Sequence, residues 1–214
     1  MYQSILFDLD GTLTDSAPGI IRSVQYALKK YGITEADENL RKFIGPPLIH
    51  SFQKFFGFDH DKAMEAVQFY REYFTTGGMF ENSVYPGIPE LLSDLKNAGK
   101  QLLVVTSKPE PFAEQIVEHF GLKEYFDAVC GAAMDETRTK KEEVLAYALS
   151  EMQIDPNSAV MIGDRENDAE AARELGVDCI GVLYGYGSRE ELSAADCTIF
   201  AEQPKDIYRI ITES

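Results

Sequence analysis

The stretch ILFDLDGTLTD (Ile5–Asp15) decides how the rest of the chain is interpreted. A short apolar run leads into two aspartates one residue apart, Asp8 and Asp10, and then into a Gly-Thr turn. Residues two apart in an extended chain point to the same side, so both carboxylates face one place at the end of a buried strand. A turn or cap would explain Asp10, but an unpaired charge at Asp8 inside an apolar strand would be costly. The pair therefore indicates a functional site.

A second pair of acids follows another apolar run. The sequence AVMIG ends at Asp164, and Asp168 comes four residues later. If the two strands are neighbours, all four carboxylates converge, repel one another and raise one another's pKa. A hard divalent cation relieves this repulsion, and Mg²⁺ suits one or two carboxylates together with a phosphate. The spacing thus predicts a Mg²⁺ site.

Hydroxyl and basic residues follow further strands. Thr106 ends the run LLVVT, and Ser107 and Lys108 come next. Hydroxyls and backbone N–H groups at a strand–helix junction suit phosphate oxygens, although an N-cap is an equal alternative. Lys140 and Lys141 begin a predicted helix, where a cation is mildly misplaced. That misplacement favours a local role in balancing the carboxylates and a phosphate.

Strands and helices alternate along most of the chain, which predicts an α/β fold with a Rossmann-like parallel sheet. The strands predicted from apolar runs are Ile5–Leu9, Gln101–Val105, Ala128–Cys130, Ala159–Ile162 and Asp178–Leu183. The helices predicted between them are Ile88–Ala98, Pro111–Phe120, Lys141–Met152 and Asp168–Leu175.

One interval, residues 16–80, contains only helical patterns: Pro18–Tyr31, Glu35–Ile44, Leu48–Phe56 and Asp61–Tyr73. Ser16 is the expected N-cap of the first helix, with a proline in its first turn. We expect this block to be an α-helical cap domain inserted into a core made of residues 1–15 and 81–214. Because ligands of parallel sheets bind beyond the carboxyl ends of the strands, the block is expected to act as a lid.

Composition excludes several classes of protein. The net charge of −16 disfavours nucleic-acid binding, which needs clustered Lys and Arg. No apolar run is long enough for a transmembrane helix and the first ten residues do not form a signal peptide, so we expect a cytoplasmic protein without a membrane partner. Three cysteines without a CxxC pair are expected to be reduced thiols. Oligomeric state cannot be predicted.

Taken in order, these motifs resemble those of the haloacid dehalogenase superfamily. The matching elements are DxDGT, a strand ending in Thr106, a lysine before a helix, and GDREND (163–168). The resemblance covers essentially the whole chain, including a helical cap after the first motif. KFIGPPL, VYPGIPELL, TSKPE and VLYGYGSREEL resemble the phosphoglycolate phosphatase-like branch and, within it, the group described as 5′-nucleotidases.

The resemblance implies a role for each matched residue. Asp8 is the nucleophile that becomes an aspartyl phosphate, and Asp10 is the general acid and base. Thr106 and Lys141 hold the phosphoryl oxygens, with Lys141 preferred over Lys140. Mg²⁺ is bound by Asp8, the main-chain carbonyl of Asp10 and Asp164, with Asp168 in support. An aspartate at position 10 marks phosphatase rather than dehalogenase chemistry.

Further residues are expected to contact the substrate, a small phosphorylated metabolite. In the core these are Gly11, Thr12, Ser107 and Lys108. In the cap, the rigid loop Gly45-Pro46-Pro47 is implied as a specificity element, and Arg22 is a candidate contact for a distal anion. The cap region also holds 8 of the 13 Phe and 4 of the 11 Tyr residues. They could stack on a nucleobase, but packing of the cap's own core is favoured for any given ring.

The resulting hypothesis is a Mg²⁺-dependent phosphomonoesterase that prefers nucleoside 5′-monophosphates. Phosphoglycolate, sugar phosphates and a phosphomutase reaction remain alternatives within the same chemistry. A receiver-like phospho-switch is an alternative of another class, which the DxDGT order and the helical insertion oppose. A P-loop nucleotide hydrolase is excluded because no Walker A motif occurs.

Overall fold

The computed structural model describes residues 2–135 and 137–213. Six strands form one parallel sheet in the order β5-β4-β1-β6-β7-β8, and β2 and β3 pair separately. The strands are β1 (Ser4–Phe7), β2 (Thr14–Asp15), β3 (Ser83–Val84), β4 (Gln101–Pro109), β5 (Ala128–Ala132), β6 (Ala159–Gly163), β7 (Asp178–Val182) and β8 (Ile199–Ala201).

The helices lie between these strands in chain order. They are α1 (Ala17–Lys29), α2 (Asp37–Leu40), α3 (Leu48–Phe56), α4 (His60–Thr76), α5 (Ile88–Asn97), α6 (Glu110–His119), α7 (Lys141–Glu151), α8 (Glu166–Glu174), α9 (Arg189–Ala194) and α10 (Pro204–Glu213). No helix in the described part of the chain is both long and apolar enough to cross a membrane.

The chain divides into two compact units. The sheet unit comprises Met1–Thr14 and Val84–Ser214, and the helical unit comprises Asp15–Ser83. The inserted block predicted from the sequence covers residues 16–80, so the helical unit begins one residue earlier and ends three residues later. The two short strands β2 and β3 lie where the chain passes between the units.

Strand β1 lies in the middle of the sheet because its residues are apolar on both faces. Ile5, Leu6 and Phe7 are all fully buried, as expected for a parallel strand covered by helices. The chain runs from β1 to β4 and β5 on one side, then returns to β6, β7 and β8 on the other. Strand order thus reverses at β1, which is where such sheets place their ligand sites.

One face of the sheet packs against α7 and α8. Leu6, Leu103 and Met161 from three adjacent strands contact apolar residues of these helices, among them Val144 and Ala172. This packing fixes the start of each helix relative to the strand ends. It therefore also fixes the polar residues at the first turns of α7 and α8.

The helical unit has an aromatic core of its own. The ring of Phe43 lies 5.0 Å from that of Phe52 in an edge-to-face arrangement, and Phe58 stacks on Phe52 at 6.0 Å. Phe43 and Phe52 are almost fully buried. These rings fill the interior of the unit, in agreement with the packing interpretation.

Several boundaries differ from the predicted ones. Strand β1 ends at Phe7, so Asp8 follows the strand instead of lying inside it. Strand β4 continues through Thr106 to Pro109, with an irregular register after Val105. The helix predicted over 35–44 is interrupted: α2 ends at Leu40 and a 3₁₀ turn follows. Strand β8 and helices α9 and α10 had not been predicted.

The expected N-cap at Ser16 was wrong. The Ser16 hydroxyl makes no capping hydrogen bond and is buried with no hydrogen-bond partner among the described residues. Instead, the Ala17 N–H donates to the Asp15 carboxylate at 3.3 Å. The backbone of Ser16 (φ −88°, ψ 1°) lies outside the extended conformation that lets an N-cap side chain reach the first turn. The cysteine prediction is consistent with the structure, since Cys130, Cys179 and Cys197 carry free thiols.

A close backbone approach at Gly19 gives a prediction for the helical unit. A Cβ atom at Gly19 would lie 1.9 Å from the carbonyl oxygen of Gly78, and the Gly19 N–H donates to the Glu81 carbonyl at 2.9 Å. We expect Gly19→Ala to lower the free energy of unfolding by about 1–3 kcal/mol, as overpacking typically does, in urea titrations followed by circular dichroism. Lys29→Ala, at an exposed position of the same helix, should change it by less than about 0.5 kcal/mol. Equal effects of the two variants would contradict the close packing.

Candidate active site

Two neighbouring strand ends and the first turn of α8 bring three of the predicted acids together. The Asp8 N–H donates to the Ile162 carbonyl at 2.8 Å, which extends the pairing of β1 with β6 by one residue. Asp164 follows β6 directly, and Asp168 lies in the first turn of α8. Asp8, Asp164 and Asp168 are 6%, 0% and 1% exposed. The convergence expected from sequence is therefore present at the carboxyl edge of the sheet.

Lys141 lies among these carboxylates. Its ammonium contacts Asp8 Oδ1 at 2.6 Å and Asp168 Oδ1 at 2.8 Å, and donates to the Val105 carbonyl at 3.0 Å. Helix α7 begins at Lys141 because the Glu143 carboxylate accepts the N–H groups of the two preceding residues. Lys140 is exposed and lies 3.7 Å from Glu142. The structure thus places Lys141, and not Lys140, beside Asp8.

Asp164 is held by neutral donors. The Tyr186 N–H donates to Asp164 Oδ2 at 2.8 Å, and the Thr12 hydroxyl donates to Asp164 Oδ1 at 3.4 Å. Thr12 is fully buried, so its hydroxyl supports Asp164 instead of lining an open surface. The Tyr184 hydroxyl in turn donates to the Thr12 carbonyl at 3.0 Å. The DGT turn and the loop after β7 therefore enclose Asp164 from two sides.

Glycines make this enclosure sterically possible. A Cβ atom at Gly11 would lie 2.2 Å from Asp164 Oδ2, and one at Gly185 would lie 2.4 Å from Asp164 Cβ. A Cβ atom at Gly187 would overlap the Asp164 carbonyl at 1.8 Å. Gly11 also has φ +84°, a left-handed conformation that favours glycine. These positions lack side chains because the Asp164 residue occupies that space.

Asp10 and Lys108 form a separate buried pair. Lys108 Nζ lies 2.8 Å from Asp10 Oδ2, with side-chain exposures of 5% and 10%. Asp10 Oδ1 is buried and has no hydrogen-bond partner in the described part of the chain. Lys108 lies on β4, where its N–H donates to the buried Thr106 hydroxyl at 3.2 Å, and Ser107 between them is half-buried.

Burial raises the pKa values of two carboxyl groups, Asp8 and Asp164. Burial is the largest cause at Asp8, where Lys141 opposes it and Asp168 adds to it, giving a pKa of about 6. The pKa of Asp164 is raised well above its ordinary value by burial and then by the charges of Asp168 and Asp8. Burial acts to lower the pKa of Lys141, but the two neighbouring carboxylates outweigh it and raise that pKa. Lys141 therefore stays charged at neutral pH.

The donor set fits a hard divalent cation. One oxygen from each of Asp8, Asp164 and Asp168 lies within 4.8 Å of the others. Of these three, Asp8 and Asp168 already contact Lys141, whereas the Thr12 hydroxyl and the Tyr186 N–H donate to Asp164. Mg²⁺ is usually bound by oxygen ligands that include one or two carboxylates. Asp8 and Asp164 are the side chains that would hold it, with Asp168 anchoring Lys141 beside them.

The remaining predicted residues lie in the helical unit. Gly45, Pro46 and Pro47 form the connection before α3, with Gly45 at φ +101° and Pro47 exposed. Arg22 is exposed and pairs with Glu81 at 2.7 Å, so its guanidinium is already bound within that unit. Contact of these residues with a substrate stays a prediction.

Two features of the site were missed by the sequence analysis. The pairing of Lys108 with Asp10 could not be predicted because the two residues are distant in sequence, with Lys108 on β4 and Asp10 in the turn after β1. The loop 184–187 was noted only as part of a family resemblance. Its alternating glycines after an apolar strand were the available signal, because glycines there permit close backbone approach.

Comparisons with known proteins agree with this geometry. A family model described as "Haloacid dehalogenase-like hydrolase" matches residues 5–182. A 5′-nucleotidase of Pseudomonas aeruginosa is 50% identical over 194 residues, covering 90% of this chain and 88% of the relative. The crystal structure of a predicted phosphatase from Clostridium acetobutylicum is 47% identical and superposes with a TM-score of 0.97 over 100% of both chains.

Other relatives carry different names. Tyrosine-protein kinase PtkA of Mycobacterium tuberculosis is 39% identical over 197 residues, covering 92% of this chain and 67% of the relative. A phosphoglycolate phosphatase of Caulobacter vibrioides is 31% identical over 218 residues, covering 98% of this chain and 92% of the relative. Together with the family match and the sheet topology, these similarities establish that the chain belongs to the haloacid dehalogenase-like hydrolase family, among its phosphatase members.

Proposed function

We propose that this protein is a Mg²⁺-dependent phosphomonoesterase that acts through an aspartyl-phosphate intermediate on Asp8. The observation that carries the proposal is the buried contact between the Asp8 carboxylate and Lys141, beside the Asp164 carboxylate, which accepts from the Tyr186 N–H. A carboxylate held between an ammonium group and a metal position is arranged to attack an anionic phosphate. Family membership supports the same chemistry.

The covalent steps are assigned to two residues. An Asp8 oxygen attacks phosphorus and the bond from phosphorus to the alcohol oxygen breaks, while Asp10 gives its proton to that oxygen. Water then attacks the aspartyl phosphate and loses a proton to Asp10, which frees the Asp8 carboxylate and inorganic phosphate. After the second step, Asp8 is again a free carboxylate and Asp10 again carries its proton.

Charge stabilisation comes from the surrounding groups. Lys141 and Thr106 are proposed to hold phosphoryl oxygens. This is supported by the contact of Lys141 with Asp8 and by the position of buried Thr106 next to Val105, whose carbonyl accepts from Lys141. Asp164 and Asp8 would hold Mg²⁺, which when bound supplies positive charge that offsets the repulsion between an anionic nucleophile and an anionic phosphate. Positioning and electrostatics dominate phosphoryl transfer.

We propose nucleoside 5′-monophosphates as the favoured substrates, with cytoplasmic metabolism as the setting. The relative named 5′-nucleotidase supports this at 50% identity over most of both chains. The relative named phosphoglycolate phosphatase favours phosphoglycolate as the second candidate at 31% identity. Sugar phosphates and a phosphomutase reaction use the same residues and differ in the product formed.

The relative named Tyrosine-protein kinase PtkA suggests a second activity to test, protein tyrosine phosphorylation. PtkA shares 39% identity with this chain but extends beyond it, since the match covers 67% of its length. Phosphoryl transfer from ATP to a tyrosine peptide is therefore measured beside hydrolysis. Hydrolysis is preferred because the stronger identity lies with the nucleotidase.

The first prediction concerns the nucleophile. Phosphate release will be measured from nucleoside 5′-monophosphates, 2-phosphoglycolate and sugar phosphates, with Mg²⁺ and with EDTA. We expect one class to be preferred, and Asp8→Asn to lower kcat about a thousandfold or more because no covalent intermediate can form. Asp94→Asn, at an exposed aspartate of α5, should retain wild-type kcat. Activity that survives both EDTA and Asp8→Asn would overturn the proposed mechanism, and product analysis separates hydrolase from mutase.

The second prediction concerns the metal. Mg²⁺ at a hundred times its Kd should stabilise the wild type by about 2.7 kcal/mol in thermal unfolding, and Asp164→Asn should abolish this response. Because burial and carboxylate repulsion destabilise an ionised Asp164, the variant in EDTA should unfold at a temperature equal to or above that of the wild type. Asp10→Asn should keep most of the Mg²⁺ response. A loss in Asp10→Asn as large as that in Asp164→Asn would show that the ligands are misassigned.

The third prediction concerns the glycine enclosure. Gly185→Ala adds a methyl group 2.4 Å from Asp164 Cβ and from the Gly11 carbonyl. We expect Mn²⁺ affinity, followed by electron paramagnetic resonance, to fall about tenfold or more as Asp164 is displaced. Gly181→Ala is the matched control, because its methyl group would crowd Leu192 and Cys197 instead. It should lower stability while leaving Mn²⁺ affinity unchanged, and the reverse pattern would contradict this role of Gly185.

A further inference from the structure

Lys108 was expected to contact the substrate, but the structure gives it another partner. Its ammonium lies 2.8 Å from Asp10 Oδ2, and both residues are 8% exposed. A buried ion pair with this geometry is broken only at high cost, because either charge left alone is poorly solvated. The pair therefore fixes where the Asp10 carboxylate points.

The two Asp10 oxygens have different surroundings. Oδ2 is bound by Lys108, whereas Oδ1 is buried without a hydrogen-bond partner in residues 2–135 and 137–213. A buried carboxylate oxygen normally has a partner, and one that lacks it requires an explanation. The explanation offered by the proposed reaction is that Oδ1 pairs with the leaving group or the attacking water, which are present only during turnover.

We propose that Lys108 is a positioning residue that holds Asp10 by Oδ2 and so makes Oδ1 the oxygen that exchanges the proton. This inference rests on the proposed phosphomonoesterase function and deepens it by one residue. Lys108 then acts through Asp10, whereas Lys141 contacts Asp8. Each of the two strand-end aspartates has its own buried lysine.

The backbone around Lys108 is itself fixed by its neighbours. Because Gly131 has no side chain, β5 approaches closely: a Cβ atom there would lie 2.6 Å from the Lys108 carbonyl. Glu110 accepts from the Gly131 N–H at 3.1 Å and from Arg138 at 3.0 Å, and Arg138 also donates to the Gly131 carbonyl at 2.9 Å. Strand β4 is thus anchored just beyond Lys108, which is the support that a positioning residue needs.

A double-mutant cycle tests the inference. We will measure kcat and KM for the wild type, Lys108→Met, Asp10→Asn and the double variant with the preferred phosphomonoester. Lys108→Met should lower kcat about tenfold to a hundredfold with KM little changed, as misplacement of a catalytic group does. Since Lys108 acts only through Asp10, the double variant should be no slower than Asp10→Asn. Multiplicative losses, or a raised KM with unchanged kcat, would assign Lys108 to the substrate and overturn the proposal.

Controls separate positioning from misfolding. Circular dichroism and Mn²⁺ affinity should match the wild type in Lys108→Met, because Asp164 and Asp8 are untouched. If Lys108→Met does not fold, the same cycle is run with Lys108→Gln, which keeps a hydrogen-bond donor beside Asp10. A double variant no slower than Asp10→Asn would support the proposal, and multiplicative losses would overturn it. Lys108→Arg retains the cation and should retain more kcat than the neutral variant, whereas equal losses would contradict the proposal. Absence of phosphate release in the wild type would instead refute the proposed function.

Discussion

An imbalance of charge at the carboxyl edge of the sheet is the constraint on which the rest of the site depends. Four aspartates (Asp8, Asp10, Asp164 and Asp168) and two lysines (Lys108 and Lys141) are buried there. If all six are ionised, two negative charges remain unbalanced. Burial raises the pKa of Asp164 and the charge of nearby Arg165 opposes that rise, although the Arg165 guanidinium pairs with Glu191 at 2.7 Å. A single divalent cation would balance the two negative charges, and the proposed position for it is beside Asp164.

The strand order explains why these charges can be brought together at all. Because the order reverses at β1, the ends of β4 and β6 flank the Asp8–Asp10 segment. Parallel strands end at the same edge, so residues far apart in sequence meet there without a loop to position them. The first turns of α7 and α8 then add Lys141 and Asp168 from rigid elements. Fixed donors of this kind need little reorganisation during a reaction.

The carboxylates could be predicted from the sequence because their signals are local, whereas Lys141 was preferred over Lys140 only through the family resemblance. Asp8 and Asp10 interrupt an apolar run, and Asp164 follows another. A charged residue is unexpected in such a position, so each aspartate indicates a functional site. The pairing of Lys108 with Asp10 has no local signal, because it depends on the register of β4 against β1 and on the irregularity after Val105. Likewise, the failed Ser16 cap depends on backbone angles that residue type does not determine. Short β8 and the amphipathic α10 were missed because their apolar runs are brief.

The helical unit limits how a substrate could be recognised. Phe43, Phe52 and Phe58 are used in its own core, which removes them as stacking surfaces for a base. Arg22 is bound by Glu81, whose other oxygen accepts from the Tyr73 hydroxyl at 2.8 Å, so a substrate anion would have to compete with an existing carboxylate. If this unit contacts a substrate, as the sequence predicts, the contact must come from residues outside its aromatic core that are not already ion-paired. Among the predicted residues only the Gly45–Pro47 loop meets that condition, since it is partly exposed and conformationally restricted by its prolines. The proposed catalytic chemistry thus depends on buried charge in the sheet unit, whereas contact of the Gly45–Pro47 loop with a substrate stays a prediction.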